Sequence, residues 1–332
     1  FSQENTALSA FASATFYATD TLRLLGSVRY TYDKKTADQR RENQGVVLPS
    51  YLTTPLNGRI VEKEWDPSVA IQYDVLPDVM VYASYGQGSK AGGFVGAQAT
   101  TTEDTFVLGS ESAETWEAGV KLAAFDRRLR LNLAGYRTDF DNLQVSSFDS
   151  ATTSFITSNA GKARSQGFEG DMSFEVTPGI SINGSMAYLD AKFRDFPGAS
   201  CFFDDPGCDP ALNNAAGRVL PRASKWSGTL GFSIDQPVTD GIDFVAGGTM
   251  TFRSKYFTEE SYNPDAAQES YQKYDLRVGL RSADERWEVA VVGKNITDEL
   301  TASHGFGTPI TGGFSQFIQT PRTIAAQVRL KI

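Results

Sequence analysis

Trp226-Ser227-Gly228-Thr229-Leu230-Gly231-Phe232-Ser233-Ile234-Asp235 alternates with a period of two. Trp226, Gly228, Leu230, Phe232 and Ile234 fall on one face, and Ser227, Thr229, Gly231, Ser233 and Asp235 on the other. Successive side chains of a β-strand leave opposite faces, whereas a helix spaces its apolar residues three and four apart. The stretch is therefore a strand with one apolar and one polar face. The pattern returns downstream in Ile242, Phe244, Ala246, Gly248, Met250 and Phe252, then in Tyr274, Leu276, Val278 and Leu280. It closes the chain in Ile324, Ala326, Val328, Leu330 and Ile332, and upstream it is present in Phe168, Gly170, Met172 and Phe174. The chain is all-β.

Several of these runs last ten residues or more, whereas strands of soluble proteins usually hold about five or six. A strand crossing a bilayer needs about 9–11 residues, apolar outward and polar inward. The polar faces carry Lys, Arg, Asp and Glu as well as Ser and Thr, which suits a wet lumen. Tight turns are predicted at Asp20-Thr21, Leu76-Pro77-Asp78, Asp126-Arg127, Thr177-Pro178-Gly179, Thr239-Asp240-Gly241 and Ala283-Asp284-Glu285. Long polar links alternate with them, near 35–60, 89–110, 196–222, 257–270 and 298–319. Short periplasmic turns and long extracellular loops are the pattern of outer-membrane barrels. Only the connection near Phe148–Thr153 reads as short where this scheme places an outer loop. The count comes to about 13 strands with a periplasmic C-terminus. An odd number does not close a single-chain bacterial barrel, and an open edge in lipid leaves backbone groups unpaired. The expected fold is thus part of a transmembrane antiparallel β-barrel, spread over residues 1–332. Phe1 is preceded by neither Met nor a signal-like segment, which reads as a mature or truncated product.

Composition narrows the function. The 22 Phe, 13 Tyr and 4 Trp need a packed or lipid-facing home and exclude disorder. No run approaches the roughly 20 apolar residues of a spanning helix. A net charge of −9 argues against a nucleic-acid partner. Tyr30, Tyr32, Tyr82, Tyr85, Trp116, Tyr256, Tyr271, Tyr274 and Trp287 lie toward strand ends, where aromatic girdles meet the headgroups. Arg137 falls on the apolar side of its strand, after Leu129, Leu131, Leu133 and Gly135. It lies either beyond the hydrocarbon band or at a slip of register.

The stretches Ser84-Tyr85-Gly86-Gln87-Gly88-Ser89-Lys90-Ala91-Gly92-Gly93-Phe94 and Glu111-Ser112-Ala113-Glu114-Thr115-Trp116-Glu117-Ala118-Gly119-Val120-Lys121 resemble the C-terminal part of a TonB-dependent outer-membrane receptor. So do Arg128-Leu129-Arg130-Leu131-Asn132-Leu133, Asn159-Ala160-Gly161-Lys162-Ala163-Arg164 and Lys294-Asn295-Ile296-Thr297-Asp298-Glu299, with Pro321-Arg322-Thr323 opening the final strand. The resemblance implies a barrel of about 22 strands around an N-terminal plug, of which this chain holds the last part. It implies active uptake of a scarce nutrient, most often a ferric siderophore, driven by the TonB complex through an N-terminal region outside this chain. Outer-membrane lipid and lipopolysaccharide would surround the wall. The chain departs from the usual aromatic C-terminus by ending Leu330-Lys331-Ile332. Carbohydrate or other non-iron receptors share such barrels. A passive porin, a barrel enzyme and a purely structural barrel are the remaining alternatives.

No catalytic constellation is present. His304 is the only histidine, without a nameable nucleophile or oriented carboxylate, and reads as an ordinary loop residue. Neither a catalytic nor a metal role, and no cofactor, is called for. Gly86, Gly88, Gly92 and Gly93 follow a strand without opening a helix, which excludes a phosphate loop. Cys201 and Cys208 flank Pro206-Gly207 in a proposed outer loop, and an oxidising exterior favours a disulfide. Asp204, Asp205 and Asp209 lack the spacing of a calcium loop. For ligand recognition the candidates are cationic Lys90, Arg218, Arg222 and Arg253, which suit an anionic chelate, and aromatic Phe94, Tyr262, Phe306 and Phe314.

Overall fold

The computed structural model describes residues 1–40, 54–96, 101–149, 154–159, 161–202, 205, 207–209, 212–259, 261–308 and 313–331. Among them, thirteen strands form one sheet in which each pairs antiparallel with its neighbour in the chain. They are β1 (Ser2–Tyr17), β2 (Leu22–Gln39), β3 (Leu56–Leu76), β4 (Val79–Lys90), β5 (Glu111–Ala124), β6 (Leu129–Asp141) and β7 (Lys162–Thr177). The rest are β8 (Ile180–Asp195), β9 (Trp226–Thr239), β10 (Ile242–Arg253), β11 (Tyr271–Ser282), β12 (Trp287–Lys294) and β13 (Thr323–Leu330). The thirteen strands expected from the sequence are present. Ile332 lies outside the described residues. β1 and β13 bound the sheet and do not pair with each other among the described residues.

The register turns alternation into two surfaces. Ile182 faces Phe232, Gly184 faces Leu230 and Met186 faces Gly228 across β8 and β9. Leu230 in turn faces Met250, and Gly248 faces Leu276. These apolar residues share one face, and Leu133, Met186, Leu230, Leu276 and Val291 on it are exposed. A water-soluble protein rarely exposes so continuous an apolar surface, whereas an outward apolar band is the rule for membrane barrels. The opposite face is polar and stitched across strands. Ser27 bonds Ser68 at 2.7 Å, Thr115 bonds Thr138 at 2.9 Å, and Asn132 donates to Asp171 at 2.9 Å. Arg281 reaches both Asp235 and Asp243, at 2.8 and 2.9 Å.

Aromatic pairs mark one level of the outer face. Tyr30 meets Trp65 with ring centroids 4.8 Å apart, Tyr85 meets Trp116 at 4.6 Å, and Tyr188 meets Trp226 at 4.9 Å. Arg137 sits in this row, opposite Trp116, and the register is unbroken through it. No slip is needed. Arg137 donates to Asp139 at 2.9 Å, and Arg164 binds the same carboxylate at 2.5 Å. The residue lies above the apolar band, where charge is tolerated.

Tight turns join the strands at one end, at 18–21, 77–78, 125–128, 178–179, 240–241 and 283–286. At the other end run the long connections 40–55, 91–110, 142–161, 196–225, 254–270 and 295–322. The connection expected to be short, around Phe148–Thr153, proves to be long. β6 ends at Asp141, and a separate hairpin of Gln144–Asp149 with Ser154–Asn159 follows before β7. The buried apolar clusters lie at this end. One gathers Ala163, Phe193, Phe196, Ala199 and Ala215, and the other Ala37, Leu56 and Phe106. The wall thus orders itself by strand pairing with an exposed apolar face, and the connections by small cores of their own.

Candidate functional site at the loop end of the barrel

Three long connections meet around Arg222. It ends the β8–β9 connection in a left-handed conformation, with φ of 60°. Its N–H donates to the Phe257 carbonyl at 2.7 Å, and its own carbonyl accepts from Arg253 Nη2 at 3.0 Å. These bonds tie 196–225 to 254–270 and to the end of β10. The guanidinium reaches into 295–322, where Nη2 lies 2.8 Å from His304 Nδ1. A guanidinium only donates, so Nδ1 must accept and the imidazole is neutral in this contact. Burial, and secondarily the charge of Arg222, hold the His304 pKa below its usual 6.5.

Arg222 and His304 border a cavity of about 460 Å³ whose other walls include Gln144, Phe193, Thr258 and Glu259. Glu259 is only 6% exposed. Its carboxylate accepts from the Ser261 hydroxyl. Burial raises its pKa, opposed by bonds from Ser261 and the Asn263 backbone. The cavity therefore presents Arg222, its backbone held by the Phe257 carbonyl and its guanidinium by His304 Nδ1, beside the buried Glu259 carboxyl that Ser261 engages. That combination favours an anionic guest. A second hollow of about 490 Å³ on the inner wall is lined by Tyr82, Lys121, Glu169 and Asp171 among others. Its carboxylates outnumber its one cation, which suits no anion.

The other candidates scatter. Arg253 lies over the Tyr256 ring at 4.6 Å and shares the Arg222 cluster. Arg218 lies over the Tyr262 ring at 5.1 Å and donates to Asn213 at 3.2 Å. The Tyr262 hydroxyl donates to the Val219 carbonyl at 2.6 Å. This pair braces two connections against each other. Phe314 stands in a hairpin of Ala302–Gly307 with Phe314–Ile318, its ring against Gly305, where a Cβ would come within 2.5 Å of it. Phe306 pairs with Ser315 in that hairpin; its side chain lies outside the described residues. Lys90 and Phe94 do not line the cavity. Lys90 faces Glu111 at 3.5 Å, and Phe94 packs on Phe106 with ring centroids 5.2 Å apart. Cys201 and Cys208 are joined in a disulfide. Asp204 lies outside the described residues. Sequence reasoning passes over Glu259 and Gln144 and reads His304 as an ordinary loop residue, whereas all three line the cavity. A lone histidine beside Phe306 was the one available signal, and it gains meaning only through Arg222, 82 positions away.

Residues 1–296 match the family model described as TonB dependent receptor-like, beta-barrel. The chain belongs to this family. Its relatives include the ferric-pyoverdine M114 receptor PbuA of Pseudomonas sp. (strain M114), 24% identical over 320 residues. That match covers 96% of this chain and 35% of PbuA. The metal-pseudopaline receptor CntO of Pseudomonas aeruginosa is 29% identical over 126 residues, covering 38% of this chain and 16% of CntO. Among solved structures, the ferric yersiniabactin uptake receptor FyuA of Yersinia pestis superposes with a TM-score of 0.79 at 17% identity. It covers 99% of this chain and 46% of FyuA. The siderophore receptor PiuA of Acinetobacter baumannii gives a TM-score of 0.76 at 16% identity, over 98% of this chain and 43% of PiuA. The chain thus spans about a third of PbuA and under half of FyuA. Members of the family are outer-membrane transport receptors rather than enzymes.

Proposed function

We propose that this chain is the C-terminal part of the barrel of a TonB-dependent receptor that takes up a ferric siderophore. The cavity carries the proposal: Arg222, fixed through His304 and Arg253, offers an anionic chelate a charge-assisted contact at the loop end. The likeness to PbuA, FyuA and PiuA, receptors of ferric pyoverdine, ferric yersiniabactin and a siderophore, supports the ligand class. The long connections face outward and the C-terminus is periplasmic. Residues 1–332 serve as one partial barrel, whose two unpaired edges call for further strands, to about 22, since open edges are prohibitive in lipid. A plug inside the complete barrel couples to the TonB complex, and outer-membrane lipid and lipopolysaccharide surround the wall. No covalent step occurs, so binding and displacement carry the mechanism. Arg218, Arg222, Arg253, Tyr262 and Phe314 serve the outer binding layer. Lys90, Phe94 and Phe306 complete it as the ligand enters.

The test is uptake of radioactive iron, presented with a panel of siderophores to iron-starved cells that carry the full-length receptor. Uptake of one chelate that stops when the proton-motive force is collapsed supports the reading. Uptake that ignores the proton-motive force would make the protein a porin-like channel. Transport of a sugar or of another metal chelate, with no iron chelate accepted, would keep the family and overturn the ligand.

A further inference from the structure

Two opposite charges border the loop-end cavity without neutralising each other. The Arg222 guanidinium is engaged by His304 Nδ1 at 2.8 Å. Glu259, nine-tenths buried, lines the same cavity. Its carboxylate accepts from the Ser261 hydroxyl and the Asn263 backbone N–H, and among the described residues no lysine or arginine forms an ion pair with it. A buried carboxylate without a cationic partner is unfavourable, and two neutral donors offset only part of its desolvation. The segment that holds it is itself locked. The Thr258 N–H and hydroxyl both donate to the Ala266 carbonyl, at 2.9 and 3.0 Å. The Arg222 N–H meets the Phe257 carbonyl at 2.7 Å, close in the chain to Glu259. One clamp thus sets the placement of both charges.

The remaining walls include apolar Leu143, Val145, Phe193, Leu220 and Pro221. The volume of about 460 Å³ falls within the range of small-molecule pockets, about 300–1,000 Å³. A guest group with only negative charge would satisfy Arg222 and set its charge against Glu259. A group with only positive charge would do the reverse. We propose that the cavity binds an amino-acid-like arm of the chelate, its carboxylate on Arg222 and its protonated amine on Glu259, with the aliphatic stem against Leu143, Val145 and Leu220. Each polar contact is then a charge-assisted hydrogen bond, and the amine supplies the counter-charge that Glu259 lacks. The ligand selected is a ferric chelate that carries a free amino-acid terminus. This inference rests on the transport reading above, whose ligand it narrows.

The test uses the purified full-length receptor and four iron(III) complexes built on one trihydroxamate scaffold. One carries a terminal α-amino acid, the second the same group N-acetylated, the third its carboxamide, and the fourth has both groups blocked. Affinity is read by quenching of protein fluorescence on titration. The free amino-acid form is expected to bind about tenfold tighter than either singly blocked form and about a hundredfold tighter than the doubly blocked one. Glu259→Gln, which keeps an acceptor for Ser261, should lose the preference for the free amine and keep that for the carboxylate. Arg222→Gln should do the reverse. Equal affinity for the free and acetylated forms, binding of none of the four, or a preference for the free amine that survives Glu259→Gln would overturn the proposal. Blocking the amine on the ligand needs no substitution in the protein, so the comparison holds even for a variant that folds poorly. Iron uptake that depends on the proton-motive force but ignores the free amine would strike this site and leave the transport reading standing. The preference without any such uptake would do the opposite.

Discussion

The wall and the loop layer obey opposite rules. On the wall, Leu230 is exposed between Gly184 and Met250 on the apolar outer face, the arrangement a lipid solvent favours. In the loop layer Phe193 and Phe196 are buried within a small apolar cluster, as in a water-soluble domain. The same kind of residue is outward in one region and inward in the other. The difference teaches that the solvent, rather than the sheet, decides where apolar side chains go. Along β3 the odd positions Trp65, Val69, Ile71 and Tyr73 are exposed while Asp66, Ser68 and Ala70 between them are half-buried.

Substitutions can break that contrast. Leu230→Arg, at the middle of the apolar band, should cost about 2–4 kcal/mol of stability in lipid. Denaturant unfolding of the full-length protein in vesicles measures it; the same loss at Thr229→Arg on the inner face would contradict the assignment of faces. In the loop layer Arg222→Gln should reduce ligand affinity by about 1.5–3 kcal/mol, the worth of a hydrogen bond to a charged group, with unfolding unchanged. Equilibrium binding of the identified chelate checks it. His304 sharpens the same point. Its pKa is lowered, so the contact with Arg222 is complete above the ordinary 6.5 and is lost as pH falls through the lower folded value. Affinity plotted against pH should change in that window, and His304→Gln should flatten the change.

Replacing both Cys201 and Cys208 by Ser should cost about 2 kcal/mol, confined to its own connection because the bridge closes a seven-residue separation. Limited proteolysis should then cut within 196–225 while the wall survives. The smallest effect belongs to the turn between β5 and β6, where Phe125, Asp126 and Arg127 have φ of 54°, 56° and 65°. Asp126→Gly should stabilise the protein by less than about 1 kcal/mol by relieving the left-handed conformation. A shifted unfolding midpoint with unchanged ligand affinity is the expected reading.

The wall was legible in the sequence because its information is local. Alternation in Trp226–Ile234 needs only adjacent residues to be read, and the pairing of Leu230 with Met250 follows from the tight turn at Thr239-Asp240-Gly241. Arg137 was the one ambiguous outward position, and only register placed it in the row of Trp116. The connections carry no period. The sequence reads the connection near Phe148–Thr153 as short, although Gln144–Asp149 and Ser154–Asn159 form a hairpin of their own within a long one. The cavity was the least legible, since Gln144, Arg222, Glu259 and His304 come from four separate connections. Among these the sequence marks Arg222, for its charge rather than its position, and His304 only as a lone histidine in a loop.

The neighbour-only order of the sheet has a kinetic consequence. Every long strand finds its partner across the next turn or connection, so the entropy lost on pairing depends on the length of that one link. The six hairpins closed by tight turns are the cheapest units to form. Joining them across the six long connections comes at a greater entropic cost, and the disulfide and small apolar clusters in those connections shorten their effective length. A sheet with this connectivity can zip from unit to unit, with contacts of low sequence separation leading and the loop layer setting the pace.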